Sequence, residues 1–189
     1  MILENIANFI YELGQLKRVH HEGWKLAGIA IPDTVAEHAL RAAQIGFVLA
    51  KMEGIANPYE VCAMLVFHDI GEARVGDIHK LANRYITVDE EGAVREQTMP
   101  LGDIGDDILS LWQQIEHRST PAGIIAKDAD WLEQACTAKE YLEQGYQSTQ
   151  EWIDNVRRAL CTDSAKHLLD TLVTMPAFEW WKGLKKLEK

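Results

Sequence analysis

The sequence predicts an all-α fold in a single domain, and three observations carry that reading. Apolar residues return every three or four positions along most of the chain, which is the period of a helix face. Serine, threonine, asparagine and proline stand ahead of several of those runs, where helices begin. The apolar–polar alternation of half-buried strands is absent, as are internal repeats and low-complexity linkers. A chain of 189 residues can bury one sizeable core and is short for two, so one domain over 1–189 is expected.

Taken in order, Ile2, Leu3, Ile6, Phe9, Ile10, Leu13 and Leu16 share a face and predict an amphipathic first helix over 2–16. Residues 16–28 mix glycine, charge and Trp24 without a period and read as a loop. Lys17, Arg18, His20 and His21 make that loop an anion-binding or lid candidate, beside the plainer reading of a solvated connection. Adjacent His20 and His21 are a weak metal signal, because neighbouring loop residues seldom share one ion. Pro32-Asp33-Thr34 precedes a second helix, whose stripe of Val35, His38, Ala39, Ala42, Ile45, Gly46, Leu49 and Met52 turns His38 toward the core. Asn57-Pro58-Tyr59-Glu60 opens a third helix, with Asn57 as N-cap and Pro58 at the first helical position.

Beyond it, Asp77-Ile78-His79-Lys80-Leu81 reads as a short helical piece. Residues 87–103, with Gly92, Pro100 and Gly102, read as a surface loop or short helices. Ile104, Ile108, Leu111, Trp112 and Ile115 mark the next helix. Ser119-Thr120-Pro121 then starts a long one running to about Gly145. Ser148-Thr149-Gln150-Glu151 has the form of a capping box, and helical segments around 163–174 and 177–187 finish the chain.

Composition narrows the function. A net charge of −10 with no basic stripe argues against a nucleic-acid polymer as partner. It leaves room for a small phosphorylated ligand, which responds to charges within roughly 10 Å. No run approaches the roughly 20 apolar residues of a membrane span, and no secretory leader is apparent. Cys62, Cys136 and Cys161 are odd in number and lie inside helical patterns, as buried thiols in a reducing compartment would. A cytoplasmic enzyme or binding protein fits these facts.

Chemistry concentrates at Phe67-His68-Asp69-Ile70-Gly71-Glu72, with Asp77 just beyond. An imidazole and a carboxylate stand side by side at the end of the apolar run Val61-Cys62-Ala63-Met64-Leu65-Val66. Buried charge is costly there unless it is paired or holds a metal. Helical spacing sets Glu72 on the face of His68. Adding His38 and one of Asp128 or Asp130 gives two imidazoles and two carboxylates from three helices. That mixture suits a transition metal rather than Mg²⁺ or Ca²⁺, which prefer all-oxygen shells. Taken singly, each residue has a plainer reading as a satisfied core group, and periodicity does not choose between Asp128 and Asp130.

The order His, His-Asp, Asp resembles the HD-domain metal-dependent phosphohydrolases. Thr34-Val35-Ala36-Glu37-His38, His68-Asp69-Ile70-Gly71-Glu72 with Gly76-Asp77, and Lys127-Asp128-Ala129-Asp130 are similar to the branch containing the 5′-deoxynucleotidases. Leu16-Lys17-Arg18, Gly23-Trp24 and Gly28 extend the likeness, which covers about residues 10–145; the helices of about 148–187 carry no motif. The resemblance implies an HD-domain helical bundle, commonly a homodimer. It also implies one divalent transition-metal ion per chain (Co, Mn, Zn, Ni or Fe), held by His38, His68, Asp69 and Asp130. Asp130 is the second acid of Lys-Asp-x-Asp, which leaves Asp128 a neighbouring or capping role. The implied reaction is hydrolysis of deoxyribonucleoside 5′-monophosphates.

Such a reaction needs an acidified water, neutralised phosphoryl oxygens and a proton for the leaving alkoxide. Glu72 is the expected general acid–base group, since its apolar flanks would raise its pKa. Arg18 is the expected phosphate clamp, because a guanidinium fork matches phosphate, and Lys80 adds a point charge. Asp77 is expected to orient water or touch substrate, or else to cap the helix after Gly76. Trp24 either packs on the nucleoside or fixes its loop to the body. Two other readings remain at this stage: a two-metal HD phosphodiesterase or triphosphate hydrolase, for which His79 and His117 are available, and a non-catalytic nucleotide-binding module.

Overall fold

Apolar periodicity resolves into ten helices in the structure, a computed structural model that describes residues 2–183. They are α1 (Ile2–Leu13), α2 (Gly23–Leu26), α3 (Val35–Met52), α4 (Pro58–Phe67), α5 (Glu72–Val75), α6 (Glu90–Thr98), α7 (Asp103–Glu116), α8 (Pro121–Glu143), α9 (Gln150–Ala159) and α10 (Asp163–Thr174). Short 3₁₀ turns join several of them. The one bridge of β type among the described residues pairs His20 with Thr34. Part of the last expected segment, 184–187, lies outside the described residues.

The central helix is α8, which packs against α3, α4, α7, α9 and α10, while α3 and α4 pack tightly on each other. Gly46 permits that approach, because a β-carbon there would overlap Leu65 Cδ1. Two apolar clusters result. One joins α3, α4, α8 and the C-terminal helices through residues such as Ala42, Leu49, Leu65, Ala129 and Leu132. The other gathers Phe9, Leu16, Val35, Ile70, Val94 and Trp112 beneath α1, α6 and α7. The chemistry-bearing residues stand between members of both, at the seam.

Several expected details differ, each for a local reason. The first helix ends at Leu13 and tightens into a 3₁₀ turn over Gly14–Lys17. Ile2, Leu3 and Ile10 stay exposed. The stripe on α3 holds, except that Met52 at its last turn is exposed. Asn57 precedes α4 without a side-chain capping bond. The box read at 148–151 does not form, because Ser148 lies within a 3₁₀ turn over Gln147–Thr149 and α9 begins only at Gln150, while the Thr149 hydroxyl donates to the carbonyls of Ala138 (2.9 Å) and Tyr146 (2.8 Å). A true capping box stands at Thr34, whose hydroxyl accepts from Glu37 N while Glu37 Oε2 accepts from Thr34 N. Residues 77–81 are not helical; Gly76, at φ 75°, turns the chain outward.

Candidate metal centre

Three helices bring the candidate residues together. His38 lies one turn into α3, His68 and Asp69 follow the last residue of α4, and Asp130 faces inward from the middle of α8. His38, His68 and Asp130 are buried, while Asp69 keeps partial access to solvent. His38 Nε2 stands 3.3 Å from His68 Nε2, 3.1 Å from Asp130 Oδ1 and 3.8 Å from Asp69 Oδ2. His68 Nε2 is 2.9 Å from Asp69 Oδ2 and 3.6 Å from Asp130 Oδ1.

The far side of each ring fixes which nitrogen faces inward. His68 Nδ1 donates to the Leu65 carbonyl at 2.7 Å, and His38 Nδ1 donates to Glu133 Oε2. In the neutral rings both Nε2 atoms therefore carry lone pairs. Two such lone pairs and two carboxylate oxygens crowded together repel one another unless positive charge lies among them. The electrostatics agree. Burial would depress His38, yet Asp130 and Glu133 hold it well above the ordinary imidazole range. Burial likewise opposes the rise of His68, but Asp69 and Asp130 lift it to about 9. Against burial, Lys127 and the two histidines keep Asp130 well below the usual carboxylate range. These are the donor types, tautomers and charge demand that a divalent transition metal satisfies, so the residues fit such an ion.

Surrounding groups hold the donors in place. Glu133, almost wholly buried, accepts from His38, from Arg41 Nε (2.8 Å) and from the Thr137 hydroxyl (3.0 Å). Arg41 continues to Glu140 (2.6 Å), so a chain of charged hydrogen bonds stiffens the α3–α8 interface behind the candidate ligands. Lys127 sits one turn before Asp130 and pairs with its Oδ2 at 3.0 Å. Asp128 points the other way, as residues two apart on a helix must. Its oxygens accept from Cys161 N (2.9 Å), Thr162 N (2.7 Å) and Thr162 Oγ1 (2.7 Å), which ties α8 to the start of α10.

Glu72 lies beside the cluster, although α4 breaks at Phe67 and Glu72 opens a new helix rather than continuing the old one. Burial, reinforced by the charges of Asp69, Asp77 and Glu90, pushes its carboxyl up to about 10. Its buried Oε2 has no hydrogen-bond partner. Glu90 of α6 approaches because Gly71 has no side chain: a β-carbon there would lie 2.7 Å from Glu90 Cγ. Burial and the nearby Asp69 raise Glu90 to about 7.

The other expected residues are placed differently. Trp24 is buried, with its ring 5.1 Å from that of Trp152 and 5.4 Å from that of Tyr141, so it fastens its loop to the body and has no face to offer a nucleoside. Arg18 is exposed and donates to the Gly14 carbonyl at 3.2 Å, and Lys127 pairs with a carboxylate of the cluster. Lys80 is exposed on the outward turn. Asp77 Oδ2 accepts from Glu22 N at 2.6 Å, which makes it an anchor of the 18–34 loop and not a helix cap. His79 Nδ1 accepts from Ala82 N at 3.1 Å, and His117 stands against Trp112 at the exposed end of α7. Among the described residues, both groups of metal-type donors include His38, and neither includes His79 or His117. A cavity of about 540 Å³, lined by His20, Asp33, Glu37, His38, Arg41 and Glu133 among others, opens on the Glu133 side of His38.

An α-helical bundle with a two-histidine, two-aspartate cluster at its core offers the donor set of a divalent-metal centre. The HD domain profile matches residues 13–170, and the chain belongs to that family. It is 32% identical to the 5′-deoxynucleotidase HDDC2 of Dictyostelium discoideum, an alignment covering 77% of this chain and 82% of the relative. It is 27% identical to the protein of the same name from Danio rerio over 75% of this chain and 72% of that one. A crystal structure from a genomics effort superposes with a TM-score of 0.79 at 34% identity, covering 95% of this chain and 99% of the other.

Proposed function

We propose that this protein is a metal-dependent 5′-deoxynucleotidase, which hydrolyses deoxyribonucleoside 5′-monophosphates to deoxynucleoside and phosphate. The observation that carries the reading is the convergence of four metal-type donors beside Glu72, whose carboxyl is pushed up to about 10 by burial and the neighbouring acids. The names of its relatives supply the substrate class. His38, His68, Asp69 and Asp130 hold one divalent transition-metal ion. Bound there, such an ion would supply Lewis acidity, acidifying a water towards a pKa of about 7.

The chain's own residues do the rest. Glu133 and the Leu65 carbonyl keep both imidazoles turned with Nε2 inward. Lys127 restrains Asp130 and lowers the negative charge that an incoming phosphate meets. Glu72 holds a proton in a place where water cannot easily take it, and donates that proton to the departing 5′ oxygen. Having lost it, the Glu72 carboxylate is raised in energy by Asp69 and Asp77, which favours its reprotonation for the next cycle.

A cytoplasmic homodimer is part of the same reading. Leu40, Phe47 and Cys62 line an apolar groove on α3 and α4, and Val48, Tyr59 and Val66 are exposed on the same two helices, which supports self-association there. The test of function is phosphate release by metal-stripped protein resupplied with each divalent ion. The substrates are deoxyribonucleoside and ribonucleoside 5′-monophosphates, 3′-monophosphates, triphosphates and cyclic dinucleotides. Metal-dependent release from 5′-deoxynucleotides supports the proposal. Release confined to triphosphates or diesters refutes it.

A further inference from the structure

The loop between α1 and α3 brings a third histidine to the centre. His21 is half-buried, and its ring stands edge-on to that of His38 with centroids 4.7 Å apart. One ring nitrogen of His21 lies within 4.8 Å of a ligand atom on His38 and of another on Asp69, and the latter two are themselves that close. The position of His21 is not that of a loose loop residue. Its backbone N–H donates to the Asp33 carbonyl at 3.0 Å, and Val35 N donates to the Val19 carbonyl at 3.0 Å, clamping the loop to the start of α3. On the other side, the next residue donates its N–H to Asp77. The His21 side chain is oriented as well, since Nδ1 meets Asp33 Oδ2 at 3.1 Å.

That pairing repeats the one behind His38. A carboxylate holds Nδ1 of each ring, Glu133 for His38 and Asp33 for His21, and so leaves Nε2 as the nitrogen with a lone pair to give. His38 has one such lone pair, because its Nδ1 is committed to Glu133. Two sets of donors that share His38 therefore cannot each hold an ion of their own.

We propose that His21 is a fifth protein ligand of that ion, delivered by the loop and oriented by Asp33. The inference rests on the reading of His38, His68, Asp69 and Asp130 as the other four. A neutral third imidazole raises affinity for a transition metal without adding negative charge to a site that must admit a phosphate.

The test is Co²⁺ binding by the metal-stripped full-length chain, read by chelator competition and by the visible d–d absorption of the loaded protein. His21→Ala and the better-filling His21→Gln are compared with wild type. His20→Ala serves as control, because the His20 ring turns to the Pro32 carbonyl at 2.7 Å. Circular dichroism establishes that each variant is folded. Both His21 variants should bind Co²⁺ at least ~10-fold more weakly and show an altered d–d band, while His20→Ala changes neither. Wild-type affinity and an unchanged band in either folded His21 variant overturn the inference alone. A wild-type chain that binds no Co²⁺ overturns it together with the four-ligand centre.

Discussion

Replacing Glu72 by glutamine separates catalysis from stability. The Glu72 carboxyl has an ordinary value of 4.5 and is raised to about 10 in the metal-free fold, so the folded chain carries a proton there that the unfolded chain has released. A raised carboxyl value means that stability is fully present below about pH 4.5. It falls as pH climbs towards the folded-state value. At pH 7 the difference spans about two and a half pH units, or up to about 3.5 kcal/mol at roughly 1.4 kcal/mol per unit. Glutamine is neutral in both states and avoids that loss. Glu72→Gln should therefore unfold at higher urea than wild type at pH 7, by more at pH 8.5, and hardly differ at pH 5, all on metal-free protein. The same variant should lose about 10² to 10⁴ in phosphate-release rate, because no proton remains for the leaving group. Equal urea midpoints at all three pH values would refute the argument, since they would mean that Glu72 is ionised within the fold.

Three further outcomes follow from the same geometry. Glu133→Gln removes the carboxylate that orients His38 and should weaken metal binding about 10- to 100-fold, as measured by chelator competition. Asp128→Ala leaves α8 without the buried carboxylate that accepts from Cys161 N, Thr162 N and the Thr162 hydroxyl and should cost about 1–3 kcal/mol in urea unfolding, whereas Asp130→Ala should abolish metal binding; metal retained by the second variant and lost by the first would reverse the assignment of the two acids. Burial raises the Cys136 thiol to about 11, so iodoacetamide at pH 8 should label exposed Cys161 and leave Cys136 unmodified, with peptide mass spectrometry as the readout.

Much of this site was legible in the chain because its parts are local. His68, Asp69 and Glu72 follow one another, and the apolar stripe on α3 already turned His38 inward. Asp128 and Asp130 could not be separated by period, because the difference lies in what each carboxylate meets, and Cys161 and Thr162 are more than thirty residues away. Glu133 escaped for the same reason: it is joined to His38 across 95 positions, and nothing beside it in sequence marks it. Glu90 reaches the centre only because Gly71 leaves room. Of the two readings open for Trp24 in sequence, only its packing against Tyr141 and Trp152 selects the loop anchor. The Thr34–Glu37 box, by contrast, was available from its Thr-x-x-Glu spacing.

The most direct test of the central claim is a titration of metal-stripped chain with Co²⁺ or Mn²⁺, following phosphate release from a deoxyribonucleoside 5′-monophosphate. Activity should be absent at the start, rise in proportion to added ion and level off at one equivalent per chain. Full activity without metal, or a plateau reached only at two equivalents, would contradict a single ion held by His38, His68, Asp69 and Asp130.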